Sequence, residues 1–328
     1  MNKNNQKIKV SIIIPCKEID KYTEGCIRHC LELDYPDYEV IILPDYKPKK
    51  TFNELNKVKV IPTGSVTPGA KRNIGIANAN GEICAFIDSD AYPPKDWLRN
   101  AIKYLTNEKV VAVGGPGITP PEDSLMQRAS GYVFAAASFP SCLIGRFKVK
   151  KARESDDIHS CNFIAYKKVI EKVGGWNEKY WPGEDTLLCL AIKKWGYKLL
   201  EAPDVIVYHH RKPLFRRHLN QVKQFALHRG LFARKFRGNS LKMLYVIPTL
   251  ITSILFGGLL LSLSIGSKLL RTLYILALGT YLMMTLLASV IETKERKLIP
   301  LVWLGVILTH ITYGTFFIVG VLKKDLER

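Results

Sequence analysis

Acidic residues are scarce in this chain. Its 328 residues include 29 Asp and Glu against 48 Lys and Arg, a formal charge of +19 at neutral pH. Between Val205 and Lys242 there is no carboxylate at all, only ten Lys and Arg, which is about half of the excess charge. The seven cysteines, at 16, 26, 30, 84, 142, 161 and 189, are odd in number and lack metal-ligand spacing. They argue against a disulfide framework and for a reducing, cytosolic catalytic region. Fixed-period repeats and low-complexity tracts are missing, and no basic-then-apolar leader opens the polar start MNKNNQKIK. With 47% apolar residues the chain is neither disordered nor collagen-like.

The apolar residues are concentrated at the C-terminal end. Leu244 to Leu263, Thr272 to Ile291 and Leu298 to Leu322 are each long enough for a bilayer span of about 20 residues, separated by SIGSKLLR and ETKERK. His310, inside the third, reads as a packed residue. In the basic segment before them, Phe215, Leu219, Val222, Ala226, Ala233 and Phe236 recur at helical spacing. That pattern predicts an amphipathic helix on anionic lipid rather than a nucleic-acid surface. The positive-inside rule puts the catalytic region and ETKERK in the cytoplasm. Three full crossings would leave the charged tail KKDLER outside, against the same rule, so one re-entrant or interfacial stretch among the three stays open.

The first 210 residues read differently. VSIII (10–14), EVIIL (39–43), residues 58–61 and ICAFI (83–87) are apolar, β-branched runs that predict buried parallel strands. Helical patterns at Tyr22 to Leu33 and Gly69 to Ala79 alternate with them, as in an α/β doubly wound sheet. Ligands bind such sheets at the strands' carboxyl ends, where the sequence puts Glu18, Asp45 and the triplet Asp88-Ser89-Asp90. Two carboxylates two residues apart at a strand tip suit a hard divalent cation that also takes phosphate oxygens. Gly69-Ala70-Lys71-Arg72-Asn73 opens a helix, a natural anion site, so Arg72 is expected on the phosphate side.

SIIIPCKE, GAKRNIGIANANGEICAFIDSDAYPPKDWL and SCNFIAYKKVIEKVGGWNEKYWPGEDTLLCLAIKKWGYKL, in this order over residues 8 to 210, resemble the motifs of family 2 glycosyltransferases. The resemblance implies a GT-A fold and metal-dependent, inverting transfer from a nucleotide-sugar. It implies that Asp90 holds Mg²⁺ or Mn²⁺ against the diphosphate, with Asp88 at the ribose or metal shell and Ser89 between them. Pro15, Glu18 and Asp45 line the base and ribose, with Arg72 nearby. In GED (183–185), Asp185 is the general base, Glu184 orients the site and Gly183 lies on the acceptor side. Trp176 offers a sugar an apolar face or equally belongs to the core, Gly115 shapes the acceptor floor or a plain turn, and His209 is a third metal ligand or a surface histidine beside the bilayer. Residues 118 to 160 belong to the acceptor side.

Two departures matter. The common Asp-Asp-Gly-Ser after the second strand is Pro44-Asp45-Tyr46-Lys47 here, which leaves the base undetermined and UDP a default. The Gln-x-x-Arg-Trp signature of processive synthases is missing, so transfer of a single sugar is favoured. The expected architecture is a catalytic domain over 1–210, a basic juxtamembrane helix over 211–240 and a membrane region over 241–328 with about three spans. The expected enzyme is a hexosyltransferase of cell-envelope polysaccharide or glycolipid synthesis, multi-pass in the cell membrane. Its acceptor is a lipid-linked or membrane-proximal saccharide, and no nucleic acid is involved. A polyprenyl-phosphate sugar synthase is the near alternative. A Mg²⁺-dependent phosphatase reading of AFIDSD and an inactive nucleotide-sugar-binding scaffold are the alternatives of other classes.

Overall fold

The computed structural model describes residues 8–48, 56–105, 109–138, 147–149 and 151–326. Cys142 and residues 139–146 and 150 of the stretch expected on the acceptor side lie outside them. The chain divides into two units, Met1–Ile118 with Lys148–His210, and Thr119–Phe147 with Arg211–Leu326. Residues 119–138, expected in the catalytic domain, thus group with the C-terminal helices.

In chain order the first unit holds β1 (Val10–Pro15), α1 (Lys21–Leu31), β2 (Tyr38–Leu43), β3 (Val58–Val60), α2 (Pro68–Ala77), β4 (Ile83–Phe86), β5 (Ala91–Tyr92), α3 (Trp97–Ile102), β6 (Val110–Gly114) and β7 (Gly117–Ile118). After α4 (Leu125–Ala137), in the other unit, come β8 (Arg153–Ser155), β9 (Phe163–Tyr166), α5 (Lys167–Lys172), α6 (Glu184–Lys194), β10 (Lys198–Glu201) and β11 (Val207–His209). Eight strands form one sheet in the order β3-β2-β1-β4-β9-β6-β10-β8, and β5-β11-β7 form a second. β3, β2, β1 and β4 are parallel neighbours, with β9 antiparallel to both β4 and β6.

The apolar runs are strands because both faces of the sheet are covered. Ile12 and Ile14 point into one core with Cys26 and Trp97, while Ile13 points into the other with Phe86, Phe163 and Trp176. Asp20 starts α1 by accepting from the Tyr22 and Thr23 amides at 3.1 and 2.9 Å, which satisfies donors the helix itself leaves open. The parallel strands therefore end at one edge, where Pro15, Leu43 and Phe86 hand over to the loops that carry polar residues.

The second unit is helical. Besides α4 it contains α7 (Arg216–Lys235), α8 (Met243–Ser264), α9 (Lys268–Glu292) and α10 (Ile299–Leu322). Among the described residues, three helical segments, Met243–Ser264, Lys268–Glu292 and Arg296–Leu322, are long and apolar enough to cross a membrane. The apolar side of α7 does not face lipid as expected. Ala226 and Ala233 cluster with Phe317 of α10, and the backbones meet where Gly230 lies against the Phe317 carbonyl and Gly320 against the Leu227 carbonyl. Residues without a Cβ allow that approach, so α10 buries the stripe that the sequence pattern assigned to lipid.

Candidate functional site

The DSD triplet follows β4 in a tight turn. The Ala91 amide donates to the Asp88 carbonyl at 2.9 Å and the His210 amide to the Asp90 carbonyl at 2.9 Å. β5 pairs antiparallel with β11, matching Ala91 with His209, and this register carries a residue 119 positions downstream to the triplet. His209 Nε2 lies 3.2 Å from Asp90 Oδ1. One ligand atom each from Asp88, Asp90 and His209 falls within 4.8 Å of the others. Two carboxylates and an imidazole, all half-buried, are the donor set of a hard to borderline divalent cation such as Mn²⁺ or Mg²⁺, so these residues fit the group expected. Burial pulls the His209 imidazole down. The Cys161 thiol and the Asp90 carboxylate, both hydrogen-bonded to it, outweigh that and hold its pKa at about 10.

Arg72 links this turn to the acidic pair. Its side chain is 2% exposed, donating from one terminal nitrogen to Glu184 Oε1 at 2.7 Å and from the other to Asp88 Oδ1 at 2.9 Å. The guanidinium lies 4.7 Å from the Trp176 ring centre. Expected on the phosphate side, Arg72 instead spends its terminal donors inside the protein, because an unpaired cation at this depth would carry a large desolvation cost. Trp176 is corrected with it: 2% exposed and packed edge-on against Phe86 and Phe163, it offers its face to Arg72 rather than to a sugar. Asn73 fixes that arrangement, accepting from the Trp176 amide and donating to its carbonyl, both at 2.9 Å.

Glu184 and Asp185 open α6. Gly183 precedes them with φ of 117°, a left-handed value that favours glycine, and its amide donates to Glu184 Oε2 at 3.0 Å. Glu184 is 3% exposed. Burial raises its pKa to about 7 against the pull of Arg72, with Asp185 pushing the same way as burial. Asp185 is half-buried, and its Oδ1 accepts from the Thr186 amide at 2.7 Å. Both carboxylates sit where the helix dipole favours negative charge. Through Arg72, Glu184 is one guanidinium from Asp88, so the two motifs share a site despite about a hundred residues between them.

Pro15 is buried at the end of β1 and Glu18 is exposed just beyond it. Ser89 is half-buried in the turn between the two aspartates. Asp45 is buried and paired with Lys71, which also donates to the Cys16 and Leu43 carbonyls at 2.6 and 3.2 Å. The lysine thereby closes the ends of β1 and β2, and the Asp45 carboxylate is committed to it. A Cβ on Gly115 would meet the Val205 and Ala202 carbonyls, so this glycine answers to backbone packing. Lys71, one of the two cations at the expected anion site, Asn73 and Cys161 lie within GAKRN and SCNF, but no local pattern marks the contacts they make with the strand ends, the Trp176 backbone and His209.

A parallel-sheet edge that carries a D-x-D turn with an opposing histidine, and an acidic helix start tied to it through Arg72, is the arrangement of a GT-A glycosyltransferase fold. The chain belongs to glycosyl transferase family 2, whose model matches residues 11–174. It is 27% identical, over 96% of its length and 98% of the relative's, to a Methanococcus voltae protein described as dolichyl N-acetyl-alpha-D-glucosaminyl phosphate 3-beta-D-2,3-diacetamido-2,3-dideoxy-beta-D-glucuronosyltransferase. Its fold is similar to that of the mannosyltransferase PcManGT from Pyrobaculum calidifontis, solved with GDP-Man and Mn²⁺ (TM-score 0.64, 19% identity, 94% of this chain and 88% of that one). GalNAc-T7, solved with UDP, GalNAc and Mn²⁺, also shares the fold (TM-score 0.51, 15% identity, 70% and 51% covered). The protein is a glycosyltransferase.

Proposed function

We propose that the protein transfers one sugar, with inversion, from a nucleotide-sugar to a lipid-linked saccharide at the cytoplasmic face of a membrane. The observation that carries this is Arg72, which ties the D-x-D turn at Asp88 to Glu184 beside Asp185. The acceptor class is supported by the Methanococcus voltae relative, whose substrate is dolichyl-linked, and by the apolar C-terminal helices.

In this reading Asp88, Asp90 and His209 hold Mn²⁺ or Mg²⁺. A bound divalent cation supplies positive charge against the departing nucleoside diphosphate. Asp185 accepts the proton of the acceptor hydroxyl as that oxygen forms its bond to the anomeric carbon from the face opposite the diphosphate. A carboxylate can take that proton because it leaves within the transition state, where positioning counts. Glu184, locked by Arg72 and the Gly183 amide, sets the start of α6 and so the position of Asp185. Pro15, Glu18 and Ser89 line the donor side, and Gly183 belongs to the acceptor side.

The test is nucleotide release by the full chain in detergent, with a panel of UDP- and GDP-sugars, Mn²⁺ and a polyprenyl-diphosphate saccharide acceptor. Asp185→Asn is expected to lower turnover by about 10²–10⁴-fold with donor affinity nearly unchanged. Normal turnover in that variant removes Asp185 from its role. Transfer to polyprenyl phosphate alone would replace the acceptor assignment.

A further inference from the structure

All three apolar segments are long enough to cross a bilayer, but their contacts do not allow three consecutive crossings. α8 and α9 form an antiparallel hairpin: Tyr274 Oη donates to the Leu255 carbonyl at 3.1 Å and Arg271 Nε to the Ser262 carbonyl at 3.3 Å. Against α9, Ala288 clusters with Leu298, Trp303 Nε1 donates to Thr285 Oγ1 at 3.1 Å, and Tyr281 Oη lies 3.2 Å from His310 Nδ1. The numbers on one helix fall as those on the other rise, so α10 is antiparallel to α9.

The same holds against α8. Thr252 Oγ1 donates to the His310 carbonyl at 3.1 Å, Gly314 lies against the Pro248 carbonyl, and Tyr245 packs in the cluster of Phe317. Consecutive spans alternate in direction, so a third crossing would run parallel to the first. A helix antiparallel to both arms of a hairpin has little net direction along it and must lie across it. The arms meet α10 at Tyr245, Pro248 and Thr252 and at Tyr281, Thr285 and Ala288, toward the ends away from the 265–267 turn.

The flanking helices agree. α4 runs beside the first half of α10, with Arg128 on Glu295, Val133 on Gly305 and the Ala137 carbonyl on His310. α7 runs beside the second half, from the His218 contact with Thr309 to Arg234 on the Lys323 carbonyl and Lys235 on Asp325. It carries six Lys and Arg between residues 216 and 235. A crossing α10 would take those cations through the bilayer beside it, where charge is costly. Lying in the plane, the same helix keeps them at the headgroups.

We infer that the chain crosses the membrane twice, through α8 and α9, and that α10 lies in the interface with α4 and α7, its tail on their side and the 265–267 turn on the other. At 1.5 Å per residue the 22 residues of α8 and 25 of α9 span about 33 and 37 Å, enough for the hydrocarbon core of about 30 Å. Lys323 and Lys324 then stay with the basic side, which removes the conflict with the positive-inside rule. The inference rests on the membrane reading of the proposed function but not on its chemistry.

The test uses two full-length variants, Ile265→Cys and Lys324→Cys, both at exposed positions, in sealed right-side-out vesicles of the expressing cell's membrane. A membrane-impermeant maleimide is read against the unaltered chain. Position 265 is expected to react from outside, and position 324 only after detergent, with labelling at least tenfold apart. Reaction at 324 from outside, or none at 265, overturns the inference. A C-terminal fluorescent-protein fusion reads the tail independently: fluorescence is expected, and its loss on an inserted chain counts against the tail's assignment. Release of the protein by a carbonate wash would instead overturn the membrane reading itself.

Discussion

The two units hold themselves together by opposite means. In the catalytic unit the decisive contacts are buried charges in specific pairs, Arg72 between Glu184 and Asp88, and Lys71 on Asp45. In the helical unit they are places without side chains, where Gly230, Gly314 and Gly320 let backbones touch. Burying an ion pair gives little net stability, because desolvation consumes the attraction, yet breaking one is expensive. Close packing has no such asymmetry of charge, only of volume. The catalytic unit thus fixes a few polar atoms for chemistry, and the helical unit fixes the course of helices.

The largest effect is expected from Arg72→Ala. It strands Glu184, 3% exposed, without its cation, and should cost about 3–5 kcal/mol of stability, measured by denaturant unfolding of the detergent-solubilised chain. Arg72→Met combined with Glu184→Leu should recover most of that stability while leaving the enzyme inactive, because the start of α6 is no longer tied to Asp88. A single variant within about 1 kcal/mol of the parent would mean that this pair is not buried charge in the sense argued, and the contrast between the units would fail.

Next comes Gly320→Ala. The added Cβ would meet the Leu227 carbonyl, a backbone atom that cannot rotate away, so overpacking of about 1–3 kcal/mol is expected. Gly257→Ala, where a Cβ meets nothing within 4 Å, is the control and should be neutral or slightly stabilising through helix propensity. Equal losses at the two positions would show that α7 and α10 are not held by backbone approach.

Much of the catalytic unit is legible in its sequence because its signals are local. Continuous apolar runs predict strands buried on both faces, and the D-x-D triplet sits directly after one of them. What was not legible depends on partners far along the chain. Arg72 and Glu184 are 112 residues apart, and nothing in GAKRN reveals that the guanidinium turns inward onto carboxylates rather than outward to phosphate. Trp176 reads equally as a sugar platform or core until Asn73 is seen to hold its backbone. In the helical unit, hydropathy gave the lengths of α8, α9 and α10 within a few residues but carried no information on direction. Periodicity located the apolar stripe of α7 without saying that α10 covers it.

The smallest effect separates the units by pH. With the imidazole held at about 10, above the ordinary value near 6.5, the protonated form of His209 stabilises the ion-free fold. That contribution is fully present below about pH 6.5 and is lost as pH rises through about 10. A metal ligand must give up the same proton, so Mn²⁺ affinity should rise with pH between 6.5 and 8.5, by at most about tenfold per unit. Calorimetric titration should find close to one proton released per ion bound from this residue, and His209→Ala should flatten the slope as it weakens binding. The stability lost in Gly320→Ala should not vary over that range, because no titrating group enters its cause. A pH-independent Mn²⁺ affinity in the unaltered chain would take His209 out of the ligand set and leave Asp88 and Asp90 to hold the ion alone.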